Sequence, residues 1–505
     1  MLVLTVANLG TTEAPDSEIF VDFSPMRDPK LIQLLKTFSS KEMDRFVDYV
    51  ASPFFNKNPA LVALCTELRN LHPFEASSSD AELHKMAFPD EPFDYHALRH
   101  RLSDLLALAM NYIALLHTDD EVSASARLVT TWAQASSLRS RRLHSQFEKF
   151  LAKARKGLDA EKTIGDFSYE LRWRLAEEDS LIETLLRPTS NRLILQEQLD
   201  ALLQSTAIRL LRLYTIMQHE MMANDVAFKP YLASDIVRLL RTEEHLAQAP
   251  VIKVYLAVYE LEELRNDAAF QKLATLFHEH REHIDYMDAY MAHLHLTGYC
   301  TAQINLEGEE KYFREGWLLM RENIALGYMT EGNLLFPDFI YVVRLAGMSG
   351  EHAWAREYMH RFTPALQEDV RDDVVAFGEG FLAMCAGRYD EALRHFAQST
   401  IASPICNVQV RAYTISCLYK AGLYEQALAA CDTFRHYMQK EKTLTDYYTN
   451  ALKEFTKLVP RLITIKTKPF DKQTAGRLKE LVTDVAAMPT NVFNLRNWLS
   501  KAAAE

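Results

Sequence analysis

The chain has 505 residues, 48% of them hydrophobic, and a formal net charge of -12. Length alone allows about three domains, and the acidic excess argues against broad binding to nucleic acid or to anionic membranes. Glycine (15 residues) and proline (17 residues) are scarcer than in most proteins, which favours helices over the turn-rich strands of an all-β protein.

The first 25 residues contain four acidic side chains and no lysine or arginine. They lack the basic start and the apolar run of a secretory signal. The sequence therefore predicts a flexible extension over residues 1–27 that the fold can spare. Helical signals begin at Asp28, where Asp28-Pro29 precedes an apolar stripe at helical spacing. A capping box, Ser39-Ser40-Lys41-Glu42, then predicts a second helix in an N-terminal helical region over 28–126.

Two stretches of this region give further predictions. Ser-Ser-Lys-Glu at Ser39, followed by Ser-Pro-Phe-Phe-Asn-Lys-Asn at Ser52, resembles the opening of a group of uncharacterised bacterial proteins. The resemblance implies kinship and no particular activity. Further on, Tyr95 to His117 is predicted as one long helix, whose most apolar part contains Asn111 and is shorter than the roughly 20 residues of a membrane span. We therefore expect no transmembrane segment.

The middle helical region, 127–250, contains a strongly basic helix over 139–156 with Glu148 as its single acid. One side of this helix carries a basic stripe made of Arg142, Lys149, Lys153 and Lys156. The stripe could contact phosphates, and the alternative is an ordinary solvated helix face. Leu193 to Met222 is then predicted as a long helix or a close helix pair.

Motifs of catalysis are missing from the sequence, since it contains no phosphate-binding loop, dinucleotide fingerprint, nucleophile elbow or zinc-protease motif. His280 and His283 would share a helix face with Glu279 beside them, and such groups could hold zinc. The alternative, a polar helix end with exposed histidines, accounts for the same residues. We predict no enzyme activity, no catalytic residue, no cofactor and no metal site.

Two near-identical turns organise the region 251–440. Gly387 and Gly422 stand 35 residues apart, each followed by an aromatic residue two positions on and by Ala392 or Ala427 five positions on. Glycine allows the tight turn between two helices. The aromatic residue then fills the space between the helices, and alanine permits their closest approach.

This pattern resembles the tetratricopeptide repeat, a helix–turn–helix unit of about 34 residues. The resemblance covers residues 287–439 and is clearest in the two units above. It implies an all-α fold, a right-handed α-helical solenoid of antiparallel helix pairs. The remaining residues, 441–505, are predicted to be C-terminal capping helices, with one helix that ends at Pro460 and an extended stretch after it.

The resemblance also implies a partner-binding groove lined by the first helices of the repeats. The residues at the ligand-facing positions, with one neighbour, are Ile340, Arg344, Val374, Phe377, Phe381, Met384, Ser416, Tyr419 and Lys420. Phe377 and Phe381 replace the polar residues that clamp a carboxylate in the chaperone-tail-binding members, which argues against an acidic C-terminal tail as ligand. An amphipathic helix or an apolar peptide fits better. The alternative is that another part of the same chain covers this apolar row.

The sequence thus predicts a non-enzymatic scaffold or adaptor that binds a protein or peptide. The alternative function is nucleic-acid-linked or regulatory binding through the basic helix 139–156. The six cysteines form no C-x-x-C pair, which is typical of a reducing compartment and predicts a cytoplasmic protein. The identity of the partner and the oligomeric state stay open.

Overall fold

A computed structural model describes residues 30–74, 79–119, 124–186, 193–224, 227–330, 332, 334–469 and 472–505. These residues form 23 α-helices with short 3-10 and π-helical turns and no strand, which confirms the all-α expectation. The prediction that residues 1–27 are a dispensable extension lies outside the described residues. The five-part division of the chain likewise stays a prediction.

The helices follow one another through the whole described chain. They are α1 (Lys30–Leu35), α2 (Ser40–Ala51), α3 (Pro59–Leu71), α4 (Asp80–Ala87), α5 (Tyr95–Asp119), α6 (Ala124–Ser140), α7 (His144–Asp159), α8 (Asp166–Leu186), α9 (Leu193–Asn224), α10 (Ala233–Thr242), α11 (Pro250–Leu264), α12 (Asp267–His280), α13 (Tyr286–Ala302), α14 (Lys311–Ala325), α15 (Phe336–Met348), α16 (His352–Phe362), α17 (Glu368–Cys385), α18 (Tyr389–Gln398), α19 (Pro404–Lys420), α20 (Tyr424–Lys440), α21 (Asp446–Lys466), α22 (Lys472–Ala486) and α23 (Leu495–Ala504). The 3-10 turns are Leu246–Gln248, Arg281–His283, Thr363–Ala365 and Val492–Asn494, and a π-helical turn spans Gln303–Glu307.

The chain divides into two compact units. In the described residues, the N-terminal unit comprises 30–161 with Asp166–Ser205, and the C-terminal unit comprises Lys162–Gly165 with Thr206–Glu505. The N-terminal unit buries one apolar cluster among α1 to α5 and another among α6, α7 and α8. Its second helix begins as predicted, because the Ser39 hydroxyl accepts from the backbone N–H of Glu42 and the Glu42 carboxylate accepts from the N–H of Ser39.

The basic helix predicted over 139–156 is interrupted. Helix α6 ends at Ser140 and α7 begins at His144, because Arg142 takes a left-handed backbone conformation with φ 58°. The N–H of Arg142 donates to the carbonyl of Arg139 (2.9 Å), and that of Leu143 to the carbonyl of Leu138 (3.0 Å). Glycine normally takes this position at a helix end. Because arginine is not typical of this position, the sequence did not indicate that a helix ends here.

Helix α21 corrects a second prediction. It continues through Pro460 to Lys466, where the sequence predicted an end at Pro460 and an extended stretch. Proline lacks the N–H that would bond the carbonyl four residues back, here that of Thr456. The Arg435 guanidinium of α20 donates to this carbonyl through Nη2 at 2.5 Å and so satisfies it. Similarly, α9 is one helix, where a single helix or a close pair was predicted.

The C-terminal unit is a succession of neighbouring helices. From α11 to α23 each α-helix packs against the next α-helix along the chain. Short 3-10 and π-helical turns lie between some of them. Helix α17 contacts both α15 and α19, while α16, α18 and α20 each pack against the helix that precedes them. Three helix pairs therefore follow one another in chain order, and their first helices are neighbours.

Candidate partner-binding site

Three similar turns position the helices of the site. Gly350, Gly387 and Gly422 end α15, α17 and α19 with φ of 79°, 75° and 75°, in the left-handed region that glycine adopts at little cost. In the middle turn, the N–H of Arg388 donates to the carbonyl of Ala383 (2.9 Å) and that of Gly387 to the carbonyl of Met384 (3.0 Å). The other two turns repeat this pattern of hydrogen bonds. Each pair thus folds back in the same way.

Small residues hold the two helices of each pair close together. Ala355, Ala392 and Ala427 occupy equivalent places in α16, α18 and α20, and each is fully buried. On the facing helix, a Cβ added to Gly380 would lie 2.8 Å from two ring atoms of Phe396. The close approach of α17 and α18 therefore depends on a residue without a side chain at position 380.

The nine predicted partner-binding residues lie on one side of α15, α17 and α19, which we call the first-helix face. Six of them are buried, with 0–6% of their surface exposed: Ile340, Val374, Phe377, Phe381, Ser416 and Tyr419. Arg344, Met384 and Lys420 are partly exposed. Of the nine predicted residues, mainly the last three are therefore left at the surface.

The aromatic members of the row pack as a core. Phe377 and Phe381 stack with ring centroids 6.4 Å apart, and Tyr413 lies 5.3 Å from Phe381. Phe396 of α18 contacts both Phe377 (6.2 Å) and Tyr413 (6.1 Å). These rings therefore hold α17, α18 and α19 together.

The C-terminal segment, residues 490–505, covers this face. Phe493 contacts the rings of Tyr413 (6.4 Å) and Tyr448 (5.7 Å). Trp498 packs against Tyr419 (5.4 Å) and against Phe455 of α21 (5.8 Å). Another part of the same chain therefore contacts the apolar row at α19, which is the alternative that the sequence left open.

Polar bonds fix the C-terminal segment to the π-helical turn Gln303–Glu307. The C-terminal end of a helix leaves its last carbonyl oxygens without intrahelical partners, and the C-terminal segment supplies donors to them. The Asn491 backbone N–H donates to the carbonyl of Asn305 (2.6 Å), and Asn497 Nδ2 to that of Gly308 (2.7 Å). Arg496 Nη2 donates to the carbonyl of Leu306 (2.9 Å). The donors come from the run Asn491 to Asn497, whose concentration of Asn and Arg is the signal that the sequence analysis missed.

A cavity of 270 Å³ remains between the first-helix face and the C-terminal segment. Five of the nine predicted residues line it: Arg344, Phe381, Met384, Ser416 and Lys420. The rest of its wall is Phe313, Gly347, Met348, Cys385, Tyr389, Tyr413, Phe493, Asn494, Leu495, Trp498 and Lys501. The lining thus includes three cations, six aromatic rings and no carboxylate.

Two titratable groups of this cavity have raised pKa values. Burial raises the pKa of the Cys385 thiol to about 12 and raises the pKa of the Tyr413 hydroxyl, so both stay protonated near neutral pH. Lys420 is paired with Glu505 (2.5 Å) and Lys501 with Glu310 (2.6 Å). Arg344, by contrast, forms no ion pair with any residue that the structure describes.

The two other patterns singled out in the sequence lie elsewhere. Arg142, Lys149, Lys153 and Lys156 are all exposed in the N-terminal unit, whereas Arg139 pairs with Glu178 and Arg155 with Asp179 and Glu197. His280 ends α12 while His283 lies in the following 3-10 turn against the carbonyl of Lys162 (3.1 Å), so these histidines do not share a helix face. In the described part of the chain, no group of three or more His, Cys, Asp or Glu residues could hold a metal ion.

Comparison with known proteins finds no match for this chain among protein families, curated proteins or solved structures. Of the helices that the structure describes, none is both long enough and apolar enough to cross a membrane. All six cysteines are free thiols, five of them buried.

Proposed function

We propose that this chain is a non-enzymatic binding protein, a scaffold or adaptor built on a tetratricopeptide-like, right-handed solenoid. Its ligand is a protein or peptide, and its working surface is the first-helix face of α15, α17 and α19. Three successive helix pairs with the same glycine turn support the repeat assignment. The free, buried cysteines suit a reducing compartment such as the cytoplasm.

The observation that carries the proposal is the way in which the first-helix face holds the C-terminal segment. Two large aromatic side chains contact aromatic residues of α19 and α21: Phe493, in the 3-10 turn before the short helix α23, and Trp498, within that helix. This is how a helical peptide is recognised in an apolar groove. Aromatic anchors of this kind supply most of the binding free energy at interfaces.

The ligand that fits is therefore an amphipathic helix with aromatic side chains at similar spacing. Such a ligand competes with the C-terminal segment, because both need the same contacts with Tyr413 and Tyr419. Only molecules in which the segment is released can bind an external peptide, so the apparent affinity is the intrinsic affinity multiplied by the fraction of such molecules.

The test uses the full chain and a fluorescent peptide with the sequence of residues 490–505. In the double variant Phe493→Ala with Trp498→Ala, the chain's own segment is weakened, and we expect the peptide to bind at least about tenfold more tightly than to the unchanged protein. The matched control is the same peptide with both aromatic residues replaced by alanine, which should not bind. The proposal is contradicted if the two peptides bind equally well, or if neither protein binds the peptide. Circular dichroism establishes that the double variant is folded.

A second candidate function, nucleic-acid binding, rests on the exposed cations Arg142, Lys149, Lys153 and Lys156. None of the four forms an ion pair with a described residue, which leaves them available to phosphates. Binding of a short labelled RNA should then weaken with salt, and Lys149→Glu with Lys153→Glu should reduce the steepness of that dependence. An unchanged salt dependence in this variant excludes the basic stripe as the site.

A further inference from the structure

The cavity under the C-terminal segment carries an unmatched positive charge. Arg344 lines it, and the buried Nε of this arginine has no hydrogen-bond partner in the described residues. Its guanidinium lies 5.7 Å from the ring centroid of Phe493. A buried donor without a partner is costly, and a charged one more so. An anionic group bound at this point would supply what Arg344 lacks.

The charge of the lining indicates one kind of anion. No Asp or Glu is among the sixteen lining residues, although the protein as a whole has a net charge of -12. The two lysines of the lining are already neutralised by Glu505 and Glu310. One guanidinium is thus left to be matched, which suits a monoanion such as a carboxylate better than a dianionic phosphate ester. The planar guanidinium also matches the two oxygens of a carboxylate.

The size and the walls of the cavity indicate the rest of the ligand. A volume of 270 Å³ equals roughly nine water molecules, which admits a small molecule but no helix. The rings of Phe381, Tyr413 and Trp498 offer flat apolar surfaces to a flat apolar body. Ligand pockets commonly combine such walls with a few polar groups that fix orientation.

We propose that this cavity binds a small organic acid, whose carboxylate pairs with Arg344 and whose planar apolar body lies among Phe381, Tyr413 and Trp498. This goes beyond the peptide-binding function, since it assigns a second kind of ligand to the same unit of the fold. The acid would contact both α15 and the C-terminal segment, because Arg344 belongs to the first and Trp498 to the second. A bound acid therefore favours the arrangement in which the segment covers the first-helix face.

The experiment compares indole-3-acetate with its neutral isostere indole-3-acetamide by calorimetry on the full chain. We expect the acid to bind about tenfold more tightly than the amide, as a charge-assisted hydrogen bond implies. In Arg344→Met, which keeps an unbranched apolar stem, the two probes should bind within about twofold of each other. Equal affinities in the unchanged protein, or a preference for the acid that persists in the variant, overturn the proposal.

The matched control is Arg411→Met. Arg411 also lies over an aromatic ring (Tyr437, 4.4 Å), has a buried Nε without a partner in the described residues, and lines a second cavity. This variant should keep the preference for the acid. Loss of the preference in Arg411→Met, with retention in Arg344→Met, would move the site to the second cavity and refute the assignment.

A labelling experiment needs no variant and covers the case in which Arg344→Met does not fold. Photolysis of the unchanged protein with 4-azidobenzoate should label peptides that contain Met384 or Trp498, and indole-3-acetate should suppress the labelling. Labelling confined to other parts of the chain overturns the proposal. Neither experiment involves the peptide of residues 490–505, so failure of the acid site is distinguishable from failure of the peptide-binding function.

Discussion

Gly378 and Gly380 are two residues apart in α17, yet a side chain at the two positions would meet different neighbours. At position 380 an added Cβ lies 2.8 Å from the Phe396 ring, which is wedged between helices. At position 378 it lies 2.7 Å from the terminal methyl of Met359, at the free end of a flexible side chain. We predict that Gly380→Ala lowers the free energy of unfolding by about 1–3 kcal/mol through overpacking.

Gly378→Ala should cost clearly less, because Met359 can change rotamer and alanine favours a helix by about 1 kcal/mol over glycine. Urea unfolding of both variants measures the difference. Equal losses would mean that the Phe396 ring yields as easily as a methionine side chain.

Ala392 and Ala427 are fully buried where the helices of their pairs cross. Leucine at either place should destabilise the protein by about 1–3 kcal/mol, since the added atoms would overpack a fully buried position. Ala429→Leu, at an exposed position of the same helix α20, is the control and should change stability little. If Ala427→Leu unfolds at the same urea concentration as the control, the close crossing is not where the repeat register places it.

His293 makes the stability of the C-terminal unit depend on pH. It is fully buried between the rings of Phe277 (5.8 Å) and Tyr328 (5.9 Å), and burial lowers its pKa to about 4. The unfolded chain, with a histidine pKa near 6.5, binds more protons between these values. The folded state therefore loses stability as the pH falls from about 6.5 to 4, by about 3 kcal/mol from this residue.

Asp288 acts in the opposite direction, because burial raises the pKa of its carboxyl to about 6. Its contribution to stability grows as the pH falls from about 6 towards 4. Urea unfolding at pH 7 and at pH 4.5 should therefore be compared between variants. His293→Gln should lose less stability on acidification than the unchanged protein does. The exposed-site control His436→Gln should lose as much stability as the unchanged protein. An unaltered acid sensitivity in His293→Gln would be inconsistent with a buried neutral imidazole.

At the scale of the element, a side chain of another helix satisfies the carbonyl that Pro460 leaves free within α21. Arg435 of α20 donates through Nη2 to the carbonyl of Thr456, which Pro460 leaves without its helical donor, and through Nη1 to Asp432. We predict that Arg435→Met lowers the free energy of unfolding by about 1–3 kcal/mol, because a buried carbonyl is left unsatisfied. Asp432→Asn, which removes only the exposed ion pair, should cost less than about 1 kcal/mol.

A double-mutant cycle isolates the contribution to stability of the hydrogen bond between Arg435 and the carbonyl of Thr456. In a Pro460→Ala background the backbone N–H of residue 460 can bond Thr456, so Arg435→Met should cost much less there than in the unchanged chain. Thermal or urea unfolding of the four proteins gives the coupling. Additive losses would show that Arg435 acts through some other contact.

At the scale of the whole molecule, the apolar row of the first helices is part of the core of the C-terminal unit. Phe377 and Phe381 are both buried and stacked on each other. We predict that Phe377→Ser with Phe381→Ser destabilises the protein by at least 3–5 kcal/mol, roughly the cost of emptying one such site. Met384→Ser, on the same helix but partly exposed, should leave the protein folded. A stably folded double variant would instead mark these rings as an open binding surface.

Much of this fold is encoded locally. The capping box at Ser39 and Glu42 predicts where α2 begins, and the glycines at 387 and 422 predict where α17 and α19 turn back, because both signals act through hydrogen bonds or backbone angles within a few residues. The recurrence of apolar residues every three to four positions predicts the helices themselves. The same locality explains why five of the nine predicted partner-binding residues meet at one cavity, since their register follows from the turns.

Only the tertiary structure decided three other features. Pro460 looks like a helix end in the sequence, yet α21 continues through it. Arg142 looks like a helix interior, yet the break between α6 and α7 falls there. At Pro460 the missing backbone donor is replaced by Arg435, on a different helix. Whether Phe377 and Phe381 line a groove or a core was equally undetermined, because an apolar face needs burial and its sequence does not say by what. Phe493 and Trp498, more than 100 residues further along the chain, lie in the segment that covers this face, and that pairing exists only once the chain is folded.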